Sequence, residues 1–139
     1  MLISLKAWVK RLKHLGIDIN YVGDETEMPV REHDLVLIGS SSGESKLPAE
    51  IGRIAREKGA DVFYIGCTPG STIDSLASNR LLLRGRTKFA GRGEYASEQP
   101  MSTLVEQELF LLGDIVALEI MWRMGWTEKD VKDRHANLE

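Results

Sequence analysis

Seven consecutive residues, Gly39-Ser40-Ser41-Ser42-Gly43-Glu44-Ser45, gather four hydroxyls and two glycines in one short turn. The apolar run Leu35-Val36-Leu37-Ile38 precedes them and a helical pattern follows. In that setting the turn is a candidate anion cradle. A buried strand delivers it to the carboxyl edge of a sheet, and the next helix offers unpaired N–H groups and the positive end of its dipole. Gly43 supplies a backbone that lets amides converge on a ligand, and phosphate is the natural guest. Serine and glycine also punctuate ordinary strand-to-helix turns, and Ser42 or Ser45 serves equally as a helix cap. Spacing alone does not separate these readings. It does exclude two nucleotide motifs, because the turn lacks the lysine of a P-loop and is not a G-x-G-x-x-G fingerprint.

Other residues carry chemistry more thinly. Thr68-Pro69-Gly70-Ser71-Thr72 is a second hydroxyl-bearing turn, in which Ser71 and Thr72 suit a ligand or a routine helix cap. Arg86 and Lys88 can meet an anion or stand in solvent. Glu106 lies in Thr103-x-x-Glu106, the spacing of a capping box. His135 stands near the end of the chain, His14 near a helix end where positive charge is welcome, and His33 has no further claim. Cys67 is the only cysteine, so no intrachain disulfide and no paired-cysteine metal site is possible, and a cytoplasmic, reducing compartment is expected.

The 139 residues are expected to form one domain, residues 1–139. A formal charge of −3, with no basic patch studded by aromatics, argues against nucleic acid as a partner. No apolar run approaches the roughly 20 residues of a membrane span, so no membrane association is expected.

Positioning these residues requires alternating elements. Leu2, Leu5, Val9 and Leu12 recur at helical spacing before Gly16, and Ile17 to Val22 reads as a strand. Residues 35–38 form the strand before the serine turn, residues 48–58 a helix ending at Gly59, and residues 62–65 a third strand. A short helix over residues 73–77 and a strand over residues 81–83 complete the alternation. Residues 85–100 read as a loop, residues 103–124 as a long apolar helix, and Thr127-Glu128-Lys129-Asp130 as a helix start. Helices between short apolar strands predict an α/β fold with a mostly parallel sheet covered on both faces, a three-layer αβα doubly wound arrangement. The long helix carries enough Leu and Met for a core, and any excess suits a subunit interface.

Several of these stretches together resemble the sugar isomerase domain family, nearest its 6-phospho-3-hexuloisomerases. The family's Ser-x-Ser-Gly-x-Thr/Ser turn is matched by Ser40, Ser42, Gly43 and Ser45, and Glu44 matches the hexuloisomerase form. Pro69-Gly70-Ser71-Thr72-Ile73, Gly85-Arg86-Thr87-Lys88, the run from Gln99 to Gln107 and the closing Arg134-His135-Ala136-Asn137-Leu138-Glu139 are similar too. The resemblance implies interconversion of 3-hexulose 6-phosphate and fructose 6-phosphate, without cofactor or metal, in a homo-oligomer, either dimer or tetramer. It implies a phosphorylated sugar as ligand, with Ser40, Ser42, Gly43 and Ser45 on its phosphate and Ser71, Thr72 and Arg86 as further contacts. Glu106 is then the proton-transferring base, and His135 an acid, base or polarising group.

The chain departs from the family in one large respect. An earlier strand and a Gly-x-Gly-Arg-Ser turn normally precede the helix that here begins near Met1, and neither is present. The expected sheet is therefore truncated at its N-terminal side, with an unpaired edge where a central strand belongs. Ser41 also replaces the family's usual glycine, and Cys67 and Asn79 replace residues common there. An isomerase is one expectation; a catalytically silent phosphosugar-binding module is the other.

Overall fold

A computed structural model of the chain describes residues 1–89 and 94–138, so the middle of the expected 85–100 loop and the last residue of the closing motif lie outside the described residues. The elements in chain order are α1 (Leu2–His14), β1 (Leu35–Gly39), α2 (Lys46–Glu57), β2 (Asp61–Gly66), α3 (Thr72–Leu76), β3 (Asn79–Leu82), α4 (Thr103–Met124) and α5 (Glu128–Lys132). They fall into two compact units. One holds Met1 and Pro29–Leu109, the other Leu2–Met28 and Phe110–Glu139.

In the first unit β1, β2 and β3 form a parallel sheet in that order, with Val36 opposite Val62, Ile38 opposite Tyr64 and Ile65 opposite Leu81. Side chains alternate across a strand, so Val36, Ile38, Val62 and Tyr64 share one face. That face meets Ala49 and Ala55 of α2 and Ile73 of α3 in one apolar cluster. The fully buried Val62 and Ile73 contribute about 1.5–3 kcal/mol each. Gly52 lets α2 lie close to the sheet, since a Cβ there would stand 3.0 Å from Ile38 Cδ1. The fold is α/β, a parallel three-stranded sheet with flanking helices. Among the described residues β1 pairs only with β2, so its other edge has no described ladder partner.

In the second unit Leu12, Leu15 and Ala117 form a cluster joined by Ile17, Ile19, Ile120, Met121, Trp126 and Val131. Gly113 brings α4 against Trp8, whose indole nitrogen would lie 2.1 Å from a Cβ at that position. Arg11 pairs with Asp114 at 2.9 Å. Gly16, at φ 74, ends α1 with the Ile17 N–H on the Leu12 carbonyl at 3.1 Å. The Thr127–Asp130 capping box starts α5.

Two sequence expectations need correction. Residues 17–22 form no strand. Their alternation is real, but Ile17 and Ile19 are drawn into the helical cluster, and among the described residues the segment has no ladder partner to convert it into sheet. The inward face of α1 is also rotated: Ser4, Trp8, Leu12 and, just past the helix, Leu15 are buried, while Leu5 and Val9 are only partly so. Elsewhere the limits move by a residue or two, the last strand beginning at Asn79 and α2 at Lys46. No helix of the described residues is long and apolar enough to cross a membrane.

Candidate functional site

The serine turn leaves β1 at the carboxyl edge of the sheet, with the Ser40 N–H still on the Ile65 carbonyl at 3.0 Å. Ser40 and Ser42 are buried. The Gly43 N–H donates to Ser40 Oγ at 3.1 Å, and the Ser40 and Ser45 hydroxyls meet at 3.3 Å. Ser45 occupies the N-cap position of α2 but makes no side-chain cap bond. Its hydroxyl is turned toward Ser40; Pro48, third in the helix, has no N–H for a cap, and the Lys46 and Leu47 amides of the first turn have no intrahelical partner. The first turn of α2 contains no carboxylate and begins with Lys46. A helix of 12 residues in this state presents its positive end to an anion.

A neighbouring turn supports the cradle. Gly43 sits at φ 65, and a Cβ there would lie 1.9 Å from Ser71 Oγ. The Ile73 N–H donates to the Gly43 carbonyl at 3.0 Å. Ser71 is buried and caps α3, accepting from the Asp74 N–H at 3.3 Å. Glu44 takes both the Thr72 N–H, at 2.9 Å, and the Thr72 hydroxyl, at 2.7 Å. Those Thr72 hydrogen bonds hold its carboxyl below the usual carboxylate range. Ser40, Ser42, Gly43, Ser45, Ser71 and Thr72 are thus brought together, each with hydrogen bonds inside the two turns, Ser42 Oγ accepting the Glu44 N–H at 3.3 Å.

Arg86 and Glu106 belong to the same unit. One Arg86 guanidinium nitrogen donates to the Ser97 carbonyl at 2.8 Å, and its buried Nε has no hydrogen-bond partner among the described residues. Lys88 Nζ lies over the Phe89 ring, 5.0 Å from its centre. Glu106 stands in the first turn of α4, half exposed, with Oε1 3.3 Å from Ser102 Oγ and 3.0 Å from the Met1 amino nitrogen. The capping box expected between Thr103 and Glu106 does not form. Thr103 is the first residue of the helix and its hydroxyl donates to the Pro100 carbonyl at 2.6 Å, so the hydroxyl that Glu106 meets is that of Ser102.

His135 belongs to the second unit. Its ring lies 4.7 Å from that of buried His14, tilted by 44°, and Nδ1 is 2.9 Å from the Ala136 carbonyl. Burial first, then the His135 charge, holds His14 below the usual imidazole value. Arg134 lies over Trp126 and donates to the Leu15 carbonyl at 3.1 Å.

Glu94, Tyr95 and Glu108 are chemistry-bearing groups of the first unit that the sequence reading did not single out. A cleft of about 420 Å³ opens beyond β2 and β3, lined by residues that include Cys67, Arg84, Gly85, Glu94 and Tyr95. Burial pushes the Cys67 thiol up to about 11, so it is protonated and a poor nucleophile at neutral pH. Glu94 accepts from the Thr87 N–H at 2.6 Å and from its hydroxyl at 2.5 Å. Glu108 is raised by burial, and its Oε2 has no partner among the described residues. Among the described residues no group of three or more His, Cys, Asp or Glu is placed to hold a metal ion.

A parallel sheet that carries a serine turn from its carboxyl edge onto a helix N-terminus is an α/β domain with the layout of an anion-binding edge. No family model matches the chain. It is 36% identical to an uncharacterised protein of Methanothermobacter thermautotrophicus, over 96% of this chain and 72% of that protein. It is 35% identical to the 3-hexulose-6-phosphate isomerase of Bacillus subtilis, over 99% of this chain and 74% of that protein. The crystal structure of a hypothetical Methanococcus jannaschii protein, for which a 3-hexulose-6-phosphate isomerase function was inferred, superposes with a TM-score of 0.86. That match has 25% identity and covers 99% of this chain and 72% of the other. The chain belongs to the 3-hexulose-6-phosphate isomerase family of sugar isomerase domains.

Proposed function

We propose that this chain isomerises a phosphorylated ketohexose, interconverting 3-hexulose 6-phosphate and fructose 6-phosphate. The observation that carries the reading is the serine turn. Its Ser40 and Ser45 hydroxyls face each other at the N-terminus of α2, whose first turn carries no carboxylate, while Glu44 before the cap is held by Thr72. A phosphate seated there, on Ser40, Ser42, Gly43 and Ser45, anchors the sugar and leaves its carbon chain for chemistry along the same edge of the sheet.

The reaction moves a carbonyl between adjacent carbons. A base takes the proton from C2 of the 3-ketose, and the electron pair enters the C2–C3 bond as the C3 carbonyl becomes an enediolate oxygen. Return of the abstracted proton to C3, with the C2 hydroxyl proton passing to the C3 oxygen, leaves the 2-ketose. Glu106 is the base in this reading and His135, from its own or a neighbouring subunit, polarises or protonates the oxygen. Ser71, Thr72 and Arg86 are candidates for the sugar hydroxyls.

The test is a coupled assay for fructose 6-phosphate formation with the parent chain and Glu106→Gln. Loss of about 100-fold or more in kcat, with binding of fructose 6-phosphate retained, supports the base role. Binding without turnover by the parent chain makes it a phosphosugar-binding module instead, and turnover unchanged in Glu106→Gln removes the glutamate from the mechanism.

A further inference from the structure

We infer that Tyr64 and Thr68 are positioning residues of the serine cradle, aiming the Ser42 amide at a bound phosphate through their hold on the Ser41 carbonyl. The inference rests on the reading that this turn holds phosphate. Tyr64 is the largest fully buried side chain, on the central strand of the sheet, and it carries its hydroxyl to the carboxyl edge beneath the turn. There the Ser41 carbonyl accepts three donors: the Cys67 N–H at 3.0 Å, the Thr68 hydroxyl at 3.2 Å and the Tyr64 hydroxyl at 3.5 Å. The Tyr64 oxygen in turn accepts the Thr68 N–H at 3.4 Å, so the two side chains act as one support.

The consequence follows from peptide geometry. In a planar trans peptide the carbonyl and the following N–H point in opposite directions. Drawing the Ser41 carbonyl down onto β2 and Thr68 therefore turns the Ser42 N–H the other way, out of the sheet. Two residues on, the Gly43 carbonyl is drawn onto the Ile73 N–H at 3.0 Å, and the Glu44 N–H that follows it donates to Ser42 Oγ at 3.3 Å, which fixes the far side of the turn. The fixed Ser41 carbonyl thus sets the Ser42 amide, and a preorganised amide binds an anion without first being ordered. The glycines confirm how tightly the phenol is enclosed: a Cβ at Gly66 would lie 2.2 Å from the Tyr64 hydroxyl, and one at Gly43 would lie 3.0 Å from it.

Calorimetric binding of fructose 6-phosphate and of inorganic phosphate separates this role from simple stability. The variants are Tyr64→Phe, Thr68→Val, Thr68→Ser and, to test the cradle itself, Ser40→Ala. Tyr64→Phe and Thr68→Val are each expected to weaken both ligands about fivefold, the loss of one hydrogen bond, while Thr68→Ser stays within about twofold of the parent. In turnover the change is expected in KM with kcat held. If Ser40→Ala weakens binding and Thr68→Val does not, the positioning role is wrong while the phosphate reading stands. If Ser40→Ala also leaves both affinities unaltered, or the parent binds neither ligand, the phosphate reading falls and this inference with it. Should Tyr64→Phe fold poorly, the Thr68 pair decides, since serine keeps the hydroxyl that valine removes.

Discussion

Replacing Gly43 by alanine tests the cradle's construction with a magnitude that the geometry supplies. Two costs combine at this position. The backbone lies at φ 65, which costs a non-glycine residue about 1–2 kcal/mol. The new Cβ would also stand 1.9 Å from Ser71 Oγ and 2.5 Å from Ser71 Cβ, an overlap that must be relieved by moving α3 or the turn, at about 1–3 kcal/mol. Gly70 separates the two terms, because it lies at φ 73 with nothing within 4 Å of a Cβ. Gly70→Ala is expected to cost about 1 kcal/mol and Gly43→Ala about 3 kcal/mol. At about 3–5 °C of Tm per kcal/mol for a chain of this size, the two variants differ by about 8 °C in a thermal melt. Ser71→Gly removes the colliding atoms while retaining a tolerated cap residue, so the double variant Gly43→Ala/Ser71→Gly recovers most of that difference. Equal melting temperatures for Gly43→Ala and Gly70→Ala, or no recovery in the double variant, would refute the reasoning that the two turns are locked by this contact.

Acid sensitivity, neutral-pH stability and assembly supply further checks. The Glu44 carboxyl is lowered by the Thr72 hydrogen bonds, so the stability it contributes is present above the unfolded carboxylate value and is lost as pH falls through the folded one. In urea unfolding the parent should exceed Glu44→Gln at pH 7 and converge on it toward pH 3; a gap independent of pH excludes the linkage. Glu108 has the opposite sign: burial raises its folded value, so the folded state is penalised as pH rises above the unfolded carboxylate value. Glu108→Gln should accordingly be more stable than the parent at pH 7 and lose that advantage by about pH 4, and a destabilised Glu108→Gln at pH 7 contradicts the assignment. Leu111, Ile115, Leu118 and Trp122 are exposed on α4 at spacings of four, three and four residues, a stripe suited to a second copy of the helix. Light scattering is expected to give a dimer or tetramer that Leu118→Glu dissociates, and a monomeric parent at micromolar concentration ends that expectation.

What was legible in the sequence is what neighbours along the chain decide. The limits of α4, the apolar cores of β1 and β2 and the glycine stop after α2 follow from local period and capping chemistry, and they stand where the residues placed them. The serine turn was legible as a motif, yet its choice between cap and cradle was not. In the fold the Ser45 hydroxyl meets Ser40 and makes no cap bond, and whether the turn takes a phosphate is what the binding experiment decides. Contacts between segments distant in sequence were closed to this kind of reading. Alternation in residues 17–22 has the period of a strand, but a period specifies which side chains share a face and not whether a ladder partner exists; Ile17 and Ile19 use that shared face against helices instead. Tyr64 shows the same limit within a strand that was correctly placed. Its spacing marks it as core, and the polar end that reaches the Ser41 carbonyl 23 residues away is set only when β1 and β2 pair in register. A motif written in consecutive residues therefore names the turn, while the order of the sheet decides which amides the turn presents.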